Sequence, residues 1–261
     1  MSQTIYQVDA FTDKVFSGNP AAVCLLERWL PEDIMQKIAA ENNLAETAFC
    51  VKENDQYSIR WFTPSVEVDL CGHATLAAAF VLFYHEQYKE EVIQFHSGRS
   101  GVLTVRKNGN ILTMNFPSDT YTPVAVNESL TTCFNIPPKE AYKGKTDFLL
   151  VYNNEEQIKT IEPRLQNIEK VEARGVIITA KGEQADFVSR FFAPQSGIDE
   201  DPVTGSAHTT LIPYWSKTLG KKELTAIQLS PRKGYLQCKY ANDRVEISGE
   251  CRLYLKGEIY F

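Results

Sequence analysis

The sequence predicts an α+β protein of two similar halves, each a curved antiparallel sheet wrapped round one central helix. Three observations lead to this prediction. Strand-like segments are clustered, the second half repeats motifs of the first, and each half holds one helix that is rich in large apolar residues. A doubly wound parallel sheet is not favoured, because that architecture alternates strands and helices regularly.

Alternating or continuous runs of β-prone residues predict five strands in each half. In the first half they span residues 4–8, 45–51, 58–62, 102–106 and 111–115. In the second half they span residues 148–152, 175–180, 186–192, 235–240 and 244–248. The stretch 117–127 is rich in turn-forming residues. We therefore expect domains at 1–117 and 118–261, with the last strand free to pack back on the first half.

Three segments predict helices. Residues 31–42 begin with Pro31 at the first helical position and carry acidic residues in the first turn, which is a good start signal. Residues 74–84 are apolar almost all round, so this helix must be surrounded by protein. The helix that follows Ser206 is likewise rich in large apolar residues. These last two are the expected central helices.

The chain contains an internal repeat. Its blocks are 60–64 (RWFTP) with 190–194 (RFFAP), 72–74 (GHA) with 205–207 (GSA), and 101–106 with 234–239. The displacement is 130 residues for the first block and 133 for the others, so one three-residue insertion explains the change. Chance is the alternative, because any strand–helix unit has turns with Gly and Pro. Three blocks in one order favour a duplication.

Each repeat supplies a helix start that suits an anion. The first turn of a helix leaves backbone N–H groups without intrahelical partners, and the helix dipole adds positive character there. Gly72 and the Gly205–Ser206 pair stand at these starts, and glycine lets a ligand approach the backbone closely. Either glycine alone is explained as well by a tight turn. Their matched occurrence favours a site where both helix starts hold one small carboxylate.

Residues that can transfer protons flank both helix starts. His73 lies at the first, where the charged imidazolium is disfavoured, so a neutral imidazole is expected to act as donor or base. Asp201 precedes Pro202, which favours an extended conformation beside the loop. It belongs to an acidic cluster of the kind that is more often solvated, and it is chosen because it adjoins the repeated motif.

Glu46 lies in an otherwise apolar, strand-like run. Such a carboxylate is either exposed on one face of an edge strand or buried. Burial would raise its pKa, as a general acid–base at neutral pH requires. The segment alone favours the exposed alternative.

These residues fall within motifs that resemble the phenazine-biosynthesis PhzF-like family, which has the diaminopimelate epimerase-like fold. The motifs are 8–11 (VDAF), 18–23 (GNPAAV), 43–49 (NLAETAF), 71–75 (CGHAT) and 197–207, which includes DPVTGSA. They run from residue 8 to residue 207, so the resemblance covers essentially the whole chain. It implies two pseudo-symmetric domains with an active site between them, and a homodimer.

The resemblance also implies roles for single residues. The catalytic glutamate of the family falls on Glu46, against the local preference for exposure. Its assisting histidine and aspartate fall on His73 and Asp201. The backbone at Gly72 and at Gly205–Ser206 would hold a substrate carboxylate. The best-known member isomerises trans-2,3-dihydro-3-hydroxyanthranilate by moving a proton between carbons.

The chain departs from related epimerases of this fold, which use one cysteine at each helix start. Cys71 precedes Gly72, but Thr204 precedes Gly205, so a two-thiol racemase is not favoured. Two rivals stay open beside the isomerase. One is an amino-acid racemase or epimerase that pairs Cys71 with another residue such as Asp201. The other is a non-catalytic binding protein on the same fold.

Composition limits the partners. The chain has 261 residues and a net charge of −6, which argues against nucleic acid and leaves a small anionic metabolite as the expected ligand. Nucleotide-binding motifs and metal-ligand spacings are absent from the sequence, so no cofactor is expected. The longest apolar run is shorter than the roughly 20 residues that span a bilayer. No secretory leader is recognisable, so a cytoplasmic protein with reduced thiols is expected.

Overall fold

The computed structural model describes residues 2–53 and 56–261 of the chain. These residues form two compact units. The first comprises the described part of Met1–Asn115 together with Ser248–Phe261, and the second is Phe116–Ile247. The division predicted after residue 117 lies close to the observed end of the first segment. The last strand belongs to the first unit.

The elements are numbered in chain order. The first unit contains β1 (Ser2–Ala10), β2 (Asn19–Leu26), α1 (Glu32–Asn42), β3 (Glu46–Glu53), β4 (Gln56–Phe62), β5 (Glu67–Val68), α2 (Gly72–Tyr84), β6 (Val92–Ser97), β7 (Gly101–Asn108) and the start of β8 (Ile111–Pro117). The second contains β9 (Thr122–Val124), α3 (Glu128–Thr131), β10 (Glu140–Lys143), β11 (Asp147–Val151), α4 (Glu155–Thr160), α5 (Leu165–Ile168), β12 (Gly175–Lys181), β13 (Phe187–Phe192), α6 (Gly205–Leu219), β14 (Glu223–Gln228), β15 (Gly234–Ala241) and β16 (Arg244–Gly249). The last strand, β17 (Cys251–Tyr260), pairs antiparallel with β1. The predicted mixed α+β class is confirmed.

The prediction of purely antiparallel sheets is wrong. Among the described pairings, four neighbouring pairs run parallel: β2 with β3, β4 with β6, β11 with β12, and β13 with β14. Each parallel pair is joined by a connection that contains a helix: α1, α2, α4 with α5, and α6 respectively. A tight turn joins only antiparallel strands, whereas a helical crossover returns the chain in the same direction.

The two units share one order of strand pairings. In the first unit β1–β2, β3–β4 and β6–β7 are antiparallel and alternate with the two parallel pairs. In the second unit β10–β11, β12–β13 and β14–β15 are antiparallel and alternate in the same way. Each unit therefore contains the same succession of hairpins and helical crossovers.

The two long apolar helices are buried, as predicted for central helices. In α2 all residues except Gly72, Phe80 and Tyr84 are buried. A helix that is apolar on every side must be covered by protein, because no face of it suits water. Among the described residues, neither α2 nor any other helix is long and apolar enough to cross a membrane.

The peripheral helix α1 starts one residue later than predicted. Pro31 has φ −51° and ψ 140°, so it is the N-cap and not the first helical residue. Its carbonyl accepts hydrogen bonds from the backbone N–H groups of Ile34 and Met35. The helix ends at Asn42, and its C-cap Asn43 takes a left-handed conformation with φ 49°. This reversal leads the chain directly to Glu46 at the start of β3.

Candidate functional site

Glu46 is the first residue of β3 and is only 8% exposed. The local expectation of an exposed glutamate is therefore wrong. Strand β3 lies between β2 and β4 and also contacts both α1 and α2. A strand covered on both faces is apolar throughout instead of alternating, which is why the flanking sequence gave no sign of the direction of Glu46.

His73, the second residue of α2, is brought together with Glu46. Its Nε2 lies 3.2 Å from Glu46 Oε2, and the histidine is 5% exposed. Burial lowers the pKa of His73 to about 3, because desolvation disfavours the charged ring. At neutral pH the contact is therefore between a neutral imidazole and a carboxyl group, and not an ion pair.

The other ring nitrogen of His73 contacts two buried side chains. Asn19 Nδ2 lies 3.1 Å from Nδ1, and Cys71 Sγ lies 3.5 Å from the same atom. Asn19 is fully buried, and Cys71 is 5% exposed. Asn19 lies in the motif at 18–23, but no role was predicted for it from the sequence. Its only local signal is the preceding glycine, which marks an unusual backbone turn.

Glu46, Cys71 and His73 are also ligand types that bind metals. One ligand atom from each lies within 4.8 Å of the others. However, Cys71 approaches Nδ1 of the ring, and Glu46 approaches Nε2. Tetrahedral zinc sits about 2.0–2.3 Å from each ligand and engages one nitrogen of a given imidazole. The three side chains as they stand therefore do not fit a single shared ion.

The starts of α2 and α6 have matching geometry. Cys71, the N-cap of α2, has φ −138° and ψ 110°, and Thr204, the N-cap of α6, has φ −110° and ψ 99°. Neither side chain caps its helix. By contrast, Asn127 and Asn154 accept hydrogen bonds from the first turns of α3 and α4. The backbone N–H groups of the first turns at Gly72 and at Gly205–Ser206 thus donate no hydrogen bond to a capping side chain. An anion site requires first-turn donors that are open in this way.

Asp201 lies in the second unit and is held beside the start of α6. It is 8% exposed, and Thr204 Oγ1 donates to its Oδ2 at 2.5 Å. Gln228, at the end of β14, is fully buried and joins the two residues. Its amide donates to the Asp201 carbonyl at 2.7 Å, and its Oε1 accepts from Thr204 N at 2.8 Å. Sequence reasoning missed Gln228.

Ser206 is hydrogen-bonded to a cation. Arg174 Nη1 donates to Ser206 Oγ at 2.9 Å. The same guanidinium forms a two-pronged ion pair with Asp147, a carboxylate that is 2% exposed. Arg174 is a third residue that sequence reasoning missed, since it lies in no repeated block. Because Asp147 balances its charge, Arg174 brings a guanidinium donor to this helix start but no net positive charge.

Comparison with known proteins gives one consistent result. A family model described as phenazine biosynthesis-like protein matches residues 8–257. Two uncharacterized isomerases of Pseudomonas aeruginosa are 48% and 50% identical, and at least 99% of each chain is covered. A phenazine biosynthesis PhzF-family crystal structure from Enterococcus faecalis is 48% identical, with a TM-score of 0.97 and 100% of both chains covered. A hydroxyproline epimerase from Agrobacterium vitis shares the fold at 8% identity, with a TM-score of 0.63 over 99% of this chain and 92% of that one.

Proposed function

The chain belongs to the phenazine biosynthesis-like family, and we propose that it is a cofactor-independent isomerase that moves a proton between carbons of a small carboxylate-bearing metabolite. Close relatives are named as isomerases, which supports the reaction class. The observation that carries the proposal is the buried Glu46 carboxyl group, 3.2 Å from a neutral His73.

In the proposed reaction Glu46 is the only acid–base group. Its carboxylate removes a proton from one carbon, and the electron pair of that C–H bond passes into the conjugated system of the substrate. The Glu46 O–H group then delivers the proton to a second carbon, which restores the carboxylate. His73 Nε2 lies 3.2 Å from the same carboxyl group and is its neutral polar neighbour. A buried, positioned carboxyl group of this kind contributes a rate factor of about 10²–10⁴.

The substrate carboxylate is proposed to bind at the uncapped helix starts, at Gly72 and at Gly205–Ser206. Asp201 would orient polar groups of the substrate. The participation of these second-unit residues in the reaction rests on the family resemblance and on the matched geometry of the two helix starts. The shared order of strand pairings supports the further proposal that the units are pseudo-symmetric halves. A homodimer is proposed from the family alone.

The contacts of Thr204 do not favour a two-thiol racemase. A two-thiol mechanism needs a second proton-transferring group at the position before Gly205. Thr204 stands there, and its hydroxyl already donates to Asp201. Cys71 itself faces His73 Nδ1.

Labelling in deuterium oxide tests the proposal. The wild-type protein is incubated with a metabolite extract in deuterium oxide, and mass spectrometry follows compounds that gain mass. We expect one labelled carboxylate with the wild type and with Glu90→Gln, a matched change at an exposed position. Glu46→Gln should abolish that labelling. An extract that stays unlabelled, or a Glu46→Gln variant that labels it equally, would refute the isomerase.

A further inference from the structure

We propose that Asn19 is a positioning residue that fixes the tautomer of His73, keeping the ring proton on Nε2, where it faces the Glu46 carboxylate. The catalytic consequence rests on the proposed function of Glu46. The tautomer itself is a property of the substrate-free protein. The inference comes from the groups that surround the two nitrogens of this buried ring.

On the Nδ1 side, both neighbours are able to donate. A neutral imidazole has one N–H and one acceptor nitrogen. The Asn19 amide nitrogen, a donor, lies 3.1 Å from Nδ1, and the Cys71 thiol, a weak donor, lies 3.5 Å away. Nδ1 is therefore the acceptor, and the ring proton resides on Nε2.

On the Nε2 side, the neighbour is an acceptor. Glu46 Oε2 lies 3.2 Å from Nε2, and an ionised carboxylate has no proton to donate. His73 Nε2 is close to this oxygen but is not aligned for a hydrogen bond with it. A protonated Nε2 still suits a carboxylate neighbour, because an unprotonated Nε2 would place a lone pair beside an oxygen that is negative when Glu46 is ionised. Turning the Asn19 amide round would place its oxygen against Nδ1 and move the ring proton there. The two ends of the amide differ in hydrogen-bonding character, so the orientation of Asn19 is open to direct measurement through the tautomer of His73.

The backbone holds Asn19 firmly in this position. Asn19 starts β2 and pairs with Ala10 at the end of β1. Gly18 has φ +68°, and a Cβ there would lie 2.1 Å from the Ala10 carbonyl oxygen, so only glycine fits the turn. The intervening loop is tied back where Phe16 N donates to Asp9 Oδ2 at 2.9 Å. Rigid support of this kind is what an orienting hydrogen bond needs.

A neutral ring with its proton on Nε2 suits the task of Glu46. Because burial lowers the pKa of His73 to about 3, the ring does not take up the proton that Glu46 carries during turnover. The Nε2–H group then lies beside the carboxylate without competing for that proton. In a serine protease, a change that leaves the histidine in the wrong tautomer lowers kcat about 10⁴-fold, which shows how much a tautomer can matter.

The test is long-range ¹H–¹⁵N NMR of the substrate-free protein at pH 7. The chain has four histidines, and the His73 signals are identified by their loss in His73→Gln. We expect a neutral His73 ring protonated on Nε2. Asn19→Asp replaces the donor with an acceptor, so the proton should move to Nδ1 or the ring should become doubly protonated. Asn108→Asp, which adds the same charge at an exposed position, should leave the spectrum of His73 unchanged.

Two NMR results would overturn the assignment. One is a wild-type ring protonated on Nδ1, and the other is an Asn19→Asp variant that keeps the wild-type tautomer. Because the wild-type spectrum is informative alone, the assignment stays falsifiable even if Asn19→Asp does not fold.

An activity measurement separates this proposal from the proposed function. On the compound that the wild type labels in deuterium oxide, Asn19→Asp should slow labelling at least about 100-fold. Asn19→Ser, whose hydroxyl still donates, should recover part of the rate. A changed tautomer with wild-type labelling would refute the positioning role. If Glu46→Gln labels normally while the wild-type ring is protonated on Nε2, the proposed function fails and the tautomer assignment stands.

Discussion

Lowering the pH from 8 to 5 is expected to destabilise the protein by about 2 kcal/mol through His73 and by a similar amount through His208. Both histidines are buried. Burial lowers the pKa of His73 to about 3 and that of His208 to about 4. His208 Nδ1 donates to the Thr204 carbonyl at 2.7 Å, which only partly offsets the effect of burial.

The sign and size of this loss of folding stability follow from the ordinary histidine pKa of 6.5, which applies in the unfolded chain. Below pH 6.5 the unfolded chain binds a proton that the folded protein does not bind. The contribution that each neutral, buried histidine makes to the free energy of unfolding is therefore complete above pH 6.5. It falls as the pH drops towards the pKa of that histidine in the folded protein. The slope is about 1.4 kcal/mol per pH unit for each histidine, so the loss at pH 5 is about 2 kcal/mol. Any folded pKa below about 4 gives nearly the same loss, because the native ring is still neutral at pH 5.

Urea unfolding followed by tryptophan fluorescence measures this effect at pH 8, 6.5 and 5. His208→Gln and His73→Gln should each lose about 2 kcal/mol less than the wild type between pH 8 and pH 5. His96 is exposed, so His96→Gln should follow the wild type. If His208→Gln and the wild type show the same pH dependence, burial of a neutral histidine does not control acid stability here.

Two further predictions concern buried hydrogen bonds in the second unit. Gln228→Leu should lower the free energy of unfolding by about 2–4 kcal/mol, because Thr204 N and the Asp201 carbonyl each lose a buried partner. Urea unfolding measures this loss, and unchanged stability would contradict it. Arg174→Met should destabilise by about 2 kcal/mol, since Asp147 is left buried without its cation while the Arg174 side chain is itself 39% exposed. Adding Asp147→Leu should restore most of that stability, and a double variant as unstable as the single one would contradict the explanation.

The sequence predicted the elements that depend on local pattern. The ten strand-like runs and the two apolar helices were recognisable because burial selects residues along the chain. The parallel pairs were not recognisable, since they depend on how a helical crossover returns the chain to the sheet. Seven of the described strands were also missed: β2, β5, β6, β9, β10, β14 and β17. The many exposed residues of β17 give no apolar run, whereas β2 was missed although most of its residues are buried.

The candidate site was predictable only in part. His73 could be placed at a helix start from the sequence, but its contact with Glu46 depends on β3 and α2 packing together. Asn19 lies 54 residues before His73, and the two meet because a glycine turn returns β2 alongside β1. Gln228 and Arg174 likewise reach their partners from other elements of the second unit. Such contacts across the fold leave no periodic signal in one sequence.

The central claim is that a single glutamate moves the proton. The direct measurement is the rate at which the substrate gains deuterium from deuterium oxide with the wild type, Glu46→Gln and Cys71→Ser. We expect a rate about 10²–10⁴-fold lower for Glu46→Gln and a rate close to the wild type for Cys71→Ser. The opposite pattern, with Cys71→Ser inactive and Glu46→Gln active, would contradict the claim and favour a thiol-based racemase.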